Sequence, residues 1–268
     1  MSTQSSRTSP GWSVMTSAEP AADCVAFIPA RSGSKRIPNK NIAALGEHPL
    51  LAYTIRAAID SGVFRSVICA TDSPVYADIA RHYGAEVPAL RPATISGDTA
   101  PDIEWVTWML DGLDAAGTPS AAFSILRPTS PFRQPATIQR AWSAFQADPA
   151  ADSLRAIQRC RQHPGKAWVV QGQRMLPLLP LEQNGVPWHS SQYAALPAVY
   201  VQDASLEIAW TRTVRELGSI AGQAIRPLFS EGLEGFDIND PEDWVLARHY
   251  LDAGAARLPA VPQAPFFG

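Results

Sequence analysis

Cysteine is scarce in this 268-residue chain, long apolar runs are absent, and there is no excess of positive charge. Cys24, Cys69 and Cys160 are odd in number and far apart, which excludes a disulfide framework, a redox pair and a zinc site by spacing. Cys24 and Cys69 fall in apolar strand-like runs and read as buried, reduced thiols. No apolar run approaches the ~20 residues that a membrane span needs. The net charge of −3 argues against a nucleic-acid coat. The five histidines are scattered without ligand spacing. Neither G-x-G-x-x-G nor G-x-x-x-x-G-K-[ST] follows the first strand-like run, so dinucleotide and ATPase fingerprints are missing. The hydrolase G-x-S-x-G and the zincin H-E-x-x-H are missing too. Residues 1–22 are rich in Ser, Thr and Pro and carry no apolar core, which predicts a disordered leader rather than a secretory signal, and with it a cytoplasmic protein.

What is present is a full globular complement of apolar residues, 46% of the chain, arranged in alternating strand and helix patterns. Val25–Pro29, Ser66–Ala70, Ala121–Leu126 and Leu154–Cys160 read as buried strands, and Glu86–Leu90 as a short one. Leu50–Ser61, Pro74–Tyr83, Pro101–Ala115 and Pro135–Ala147 read as helices between them. This alternation predicts an α/β fold, a mostly parallel sheet with helices on both faces. Residues 163–197 break the pattern with Pro, Gly, Gln and Trp, and read as an inserted β arm over the site or into a partner subunit. Strands at Ala198–Gln202, Ser205–Trp210 and Ala224–Leu228, a short helix at Thr211–Leu217 and a helix at Pro241–Leu251 capped by Asp240 complete a domain over 23–254. The Pro-rich tail, 255–268, is expected to be loose.

The chemistry concentrates after the first strand. Lys and Arg number 22 in 268, so ten residues should hold about one, yet the window 31–40 holds Arg31, Lys35, Arg36 and Lys40 and no carboxylate. Ala30, Ser32, Gly33 and Ser34 are small enough for backbone to approach a ligand closely. Backbone amides and cations together make an anion cradle, and its natural guest is a polyphosphate. A loop at the carboxyl end of a strand is where open α/β sheets bind ligands. A solvated basic turn is the competing reading.

Four further loops sit at strand ends. Asp72 or Ser73 is expected to cap the helix at Pro74. Arg91 leads a small polar stretch to Asp98, which either caps the next helix or faces a nucleotide or its metal. In Arg127-Pro128-Thr129-Ser130-Pro131-Phe132-Arg133 two prolines stiffen a pocket wall, and Arg127 and Arg133 are candidates to pair with an anionic substrate, the alternative being a tight turn with solvated arginines. In Phe236-Asp237-Ile238-Asn239-Asp240 the alternation puts Asp237 and Asn239 on one side, an oxygen pair suited to Mg²⁺.

The run from Ala30 to Asn41, with Ala70-Thr71-Asp72, Arg91-Pro92-Ala93 before Asp98-Thr99, the 127–133 loop and Phe236–Asn239, resembles the acylneuraminate cytidylyltransferase family in order and spacing. The resemblance spans about 24–251. It implies a Rossmann-like nucleotide-diphospho-sugar transferase fold, usually a homodimer whose arm reaches the neighbouring site. It implies transfer of CMP from CTP to the anomeric hydroxyl of a nine-carbon 2-keto acid, with Mg²⁺ and release of pyrophosphate. By motif position Arg31, Lys35 and Lys40 contact the triphosphate, with Ala30, Ser32, Gly33, Ser34, Asn41, Arg91 and Asp98 around the nucleotide. Arg127, Thr129, Ser130 and Arg133 are then candidates for the sugar, and Asp237 with Asn239 for the metal. The chain departs from the pattern at Arg127, where sialate synthetases often carry Gln, and at Asn239, where many carry Asp. It also has Tyr193-Ala194-Ala195-Leu196-Pro197 where they place Arg-Pro-Asn-Gly, so the arginine that grips the sugar carboxylate is absent there. This points to a related nonulosonate or another surface sugar as acceptor. A same-fold enzyme using another nucleotide, such as a sugar-phosphate guanylyltransferase, and a non-catalytic nucleotide- or sugar-binding relative are the alternatives.

Overall fold

Strand β1, Cys24–Pro29, is apolar at every position and almost wholly buried in a computed structural model that describes residues 23–266. The elements that follow in chain order are β2 (Ala44–Leu45), β3 (His48–Pro49), α1 (Leu50–Asp60), β4 (Ser66–Ala70), α2 (Pro74–His82), α3 (Asp102–Ala115), β5 (Ala122–Ile125), α4 (Pro135–Gln146) and β6 (Ser153–Arg159). The arm contributes β7 (Trp168–Gln171), β8 (Arg174–Pro177), β9 (Glu182–Gln183) and β10 (Val186–Pro187); then come β11 (Tyr200–Trp210), α5 (Thr211–Leu217), β12 (Ile225–Phe229) and α6 (Pro241–Asp252).

The main sheet has the order β12-β6-β11-β5-β1-β4. β1 runs parallel to β4 and β5, β12 runs parallel to β6, and β11 is antiparallel to both β5 and β6. Five strands therefore point the same way, and the segments leaving their carboxyl ends share one rim. Alternation along β1 explains the two layers: Cys24, Ala26 and Ile28 pack with residues of α1, α2 and α4, while Val25 and Phe27 pack with Trp105, Val106 and Met109 of α3 and Val214 of α5. Both faces are covered, as the strand–helix alternation requires. Cys24 and Cys69 are buried, and burial pushes both thiols up, Cys69 to about 12.

Three local expectations change. Glu86–Leu90 reduces to one bridge between Glu86 and Ile68, because Pro88 has no amide to extend the ladder. The two strands expected over 198–210 are one, β11, with a bulge between Gln202 and Glu207 where Ala204 takes φ 61°. Over its described residues, 255–266, the tail is packed against the domain. Leu258 and Val261 pack beside Tyr53 and Phe132, Gln134 donates to the Arg257 carbonyl at 2.9 Å, and the Phe266 amide donates to the Tyr83 hydroxyl at 3.1 Å. The leader expected over 1–22 lies outside the described residues. Residues 163–197 do form β hairpins (β7–β8 and β9–β10), with Val170 and Met175 more than half exposed.

Below the rim a charged cluster is sealed into the sheet. Glu207 on β11 is 3% exposed and stands opposite Arg155 on β6, with which it pairs; its other oxygen accepts from Arg127 at 3.0 Å. A buried pair that loses one partner leaves an uncompensated charge. Glu207→Ala is therefore expected to lower unfolding stability by about 3–5 kcal/mol in urea titration, where a loss under about 1 kcal/mol would show the cluster to be dispensable.

Candidate active site

The loop leaving β1 is built to hold cations apart from carboxylates of its own. Gly33 at φ +77° and Asn39 at φ 53° turn the chain back on itself, conformations that glycine and asparagine tolerate best. Asp72, at the end of the neighbouring strand β4, accepts from the Ser32 amide at 2.7 Å and the Ser32 hydroxyl at 3.0 Å. The Asn41 side chain donates to the Arg31 carbonyl at 3.2 Å, and Tyr76 donates to Asn39. The loop is thus fixed from both sides, and Ser73 rather than Asp72 caps α2.

Arg31 and Lys35 converge on one carboxylate. Arg31 Nη1 lies 2.6 Å from Asp98, whose other oxygen pairs with Lys35. Asp98 thus caps no helix, and its contacts with Lys35 and Arg31 hold its carboxyl below the usual range. Lys40 points the other way and donates to the Ile238 carbonyl at 2.7 Å. Partial burial lowers its ammonium pKa, and the nearby Asp237 charge opposes that shift without cancelling it.

Three hollows follow one another along the rim. One of about 240 Å³ lies between Arg31, Asn41, Arg91, Asp98 and the Arg127–Thr129 turn. The next, about 300 Å³, is walled by Arg31, Lys35, Arg36, Lys40, Asp98 and Asn239. The third, about 340 Å³, lies between Arg159, Arg161, Phe236, Asp237 and Asn239. The first two share Arg31, Ser34, Lys40 and Asp98, and the last two share Asn239, so each hollow adjoins the next. The Asn239 amide donates to Asp237 Oδ2 at 2.7 Å, while Asp237 Oδ1 is buried and has no hydrogen-bond partner. Asp240 and Asp243 form a capping box on α6, which fixes this segment's exit.

The 127–133 loop divides. Arg127 and Thr129 line the first hollow, with Arg127 held by Asp102 at 2.6 Å and by Glu207. Burial alone would raise the Asp102 carboxyl, and Arg127, the Trp105 indole and Arg91 together leave it below the usual range. Arg133 is placed differently from the expectation of a substrate contact or a solvated turn. It is 1% exposed and donates to the carbonyls of Ser205 and Arg127 and to the Thr54 hydroxyl, so it braces the loop from inside. Ser130 is likewise buried. Arg91 is buried too, with its guanidinium on the Ile95 carbonyl and over the Trp105 ring. Asp72, Asp102, Glu207, Arg159 and Arg161 were not singled out as site residues by the sequence. The strand-end rule that marked the other loops applies equally to Arg159, which ends β6, and to Arg161, two residues beyond it.

The Cytidylyltransferase family profile matches residues 25–154. The CMP-N,N'-diacetyllegionaminic acid synthase of Legionella pneumophila is 31% identical over 235 residues, covering 87% of this chain and 98% of that protein. The chain belongs to the acylneuraminate cytidylyltransferase family. The N-acylneuraminate cytidylyltransferase of Escherichia coli is 44% identical over 122 residues, 46% of this chain and 28% of that protein. Among solved structures, a CMP:2-keto-3-deoxy-manno-octonic acid synthetase complexed with CTP superposes with TM-score 0.61 at 13% identity, over 86% of this chain and 99% of that one. The 4-diphosphocytidyl-2C-methyl-D-erythritol synthase of Anaerococcus prevotii gives 0.59, also at 13% identity, over 87% and 99%. The fold is therefore the α/β nucleotidyltransferase fold that the motifs implied, and membership of the family makes the chain a nucleotidyltransferase.

Because Asp98 competes for Arg31 and Lys35, its neutralisation should free the cradle. Asp98→Asn is expected to bind inorganic tripolyphosphate about fivefold more tightly than the parent in calorimetry. Unchanged or weaker binding would show that the carboxylate does not stand where an anion goes.

Proposed function

We propose that the chain transfers CMP from CTP to the anomeric hydroxyl of a nonulosonic acid of the legionaminic type, releasing pyrophosphate. The observation that carries this is the end-to-end match to a CMP-N,N'-diacetyllegionaminic acid synthase, in a chain whose first loop gathers Arg31, Lys35 and Lys40 on one groove. The triphosphate lies along the hollow walled by those cations, and the nucleoside in the hollow between Asn41, Arg91 and Thr129. The acceptor hydroxyl attacks the α-phosphorus in line and loses its proton to solvent, the bond to the bridging oxygen breaks, and pyrophosphate leaves with the charge that Arg31 and Lys35 face. Such transfer depends on positioning and on preorganised charge. Asp98 releases its two partners as the phosphates arrive, so the cradle is never left without an anion.

Asp237 and Asn239 fit a hard divalent cation. Asp237 Oδ1 is buried without a hydrogen bond, and the donor set is oxygen from one carboxylate and one amide. Mg²⁺ usually takes one or two carboxylates and completes its shell with phosphate and water, so Asp237 would be its anchor and Asn239 its second ligand. When bound, the ion supplies charge neutralisation at the phosphates. The exposed apolar strands β7 and β8 support reading the arm as a contact between copies in a homodimer. Residues 23–254 form the transferase domain in this reading. Among the described residues no helix is long and apolar enough to cross a membrane.

Pyrophosphate release with each nucleoside triphosphate and a panel of acidic sugars tests the reading: release with CTP and a nonulosonate is expected. Release with GTP and a sugar phosphate instead, or with no pair at all, would refute it. Lys35→Ala should lower turnover by about 10²–10³-fold without unfolding the protein, and near-parental turnover would remove Lys35 from its role. Lys40 gives a pH signature. Its lowered pKa means that its charge is lost at lower pH than for an ordinary lysine, so CTP affinity should weaken with rising pH below that lysine's usual range. In Lys40→Arg, which stays charged, that alkaline decline should vanish; its persistence would assign it elsewhere.

A further inference from the structure

The third hollow contains two cations with no internal partner. Arg159 ends β6, and Arg161 follows it into the arm. Both are exposed, and among the described residues neither guanidinium makes a hydrogen bond or an ion pair. They are the only cations among the described residues lining that hollow, which they share with Asp237, Asn239 and Gln158. Asp243, also at its wall, accepts from the amides of Asn239 and Asp240 and so is already engaged. β6 runs in the same direction as β1, because β11 lies antiparallel to both β5 and β6 and β5 is parallel to β1. The arginines therefore stand on the cradle's own rim, one hollow further along.

We infer that Arg159 and Arg161 receive the carboxylate of the acidic acceptor and so set its specificity, an inference that rests on the proposed transfer to a nonulosonic acid. In a 2-keto acid closed to its ring, the anomeric carbon carries both the attacking hydroxyl and the carboxylate. The hydroxyl has to reach the α-phosphorus in the hollow of the cradle, so the carboxylate falls immediately beside it. Asn239 borders both hollows, and the carboxylate on its far side meets the two arginines. A guanidinium presents paired donors that match a carboxylate's two oxygens. The stretch Tyr193–Pro197, which leads from the arm into β11, carries no cation for this purpose. The end of β6 supplies the positive charge from a different strand.

The experiment compares N,N'-diacetyllegionaminic acid with its methyl ester, in the parent and in Arg159→Gln/Arg161→Gln. The parent should prefer the acid. In the double variant KM for the acid should rise about 10- to 100-fold, with KM for CTP, melting temperature and turnover of the ester unchanged, so that the preference collapses. Arg159→Lys/Arg161→Lys should restore part of it, since charge returns without the fork. An unaltered acid-to-ester ratio, or an equal fall for both substrates, would overturn the assignment while leaving cytidylyl transfer intact. A parent enzyme that releases pyrophosphate with no acidic sugar would overturn both together.

Discussion

Arg31, Lys35 and Lys40 are held within one short loop, and cations so close together repel unless something negative stands among them. The protein meets this in two ways. Asp98 lies across Arg31 and Lys35, and Lys40 is turned onto the Ile238 carbonyl, which ties the first loop to the segment that bears Asp237 and Asn239. Asp98 and its two partners are partly exposed, and an arriving polyphosphate offers Arg31 and Lys35 a stronger partner than one carboxylate. The resting structure is therefore a cradle with its own stand-in anion.

Direction of the strands does the rest. With β1, β4, β5, β6 and β12 all pointing one way, five otherwise distant segments of sequence meet at one rim. Asp72 at the end of β4 clamps the backbone of Ser32 beside it, and the loop after β12 closes the groove with its capping box. Beneath them a chain of charges runs from buried Arg155 and Glu207 to partly exposed Arg127 and Asp102 at the first hollow, so the wall that Arg127 forms is anchored in the core. Burying such charge is expensive and contributes little net stability, and its use here is to fix one orientation for a side chain facing a ligand.

Most of this was legible in the chain. The alternation of apolar strands and amphipathic helices gave the layers, and the density of cations between Arg31 and Lys40 marked the groove. What was not legible depended on long-range partners. Asp72 looked like a helix cap because capping is local, whereas its contact with Ser32 joins residues forty apart. Arg133 looked like a ligand contact because nothing in the sequence shows that carbonyls from Ser205 and Arg127 converge on it. Glu86–Leu90 had the composition of a strand, yet Pro88 removes the amide that a second ladder bond needs. The prolines of the tail stop helices but do not prevent Leu258 and Val261 from packing on a core.

The most direct test of the central claim is a crystal structure with CTP and Mg²⁺. The account requires triphosphate oxygens within hydrogen-bond distance of Arg31 and Lys35, with the Asp98 carboxylate displaced from both and the cation on Asp237. Nucleotide bound elsewhere, with Asp98 still paired to Arg31 and Lys35, would contradict it.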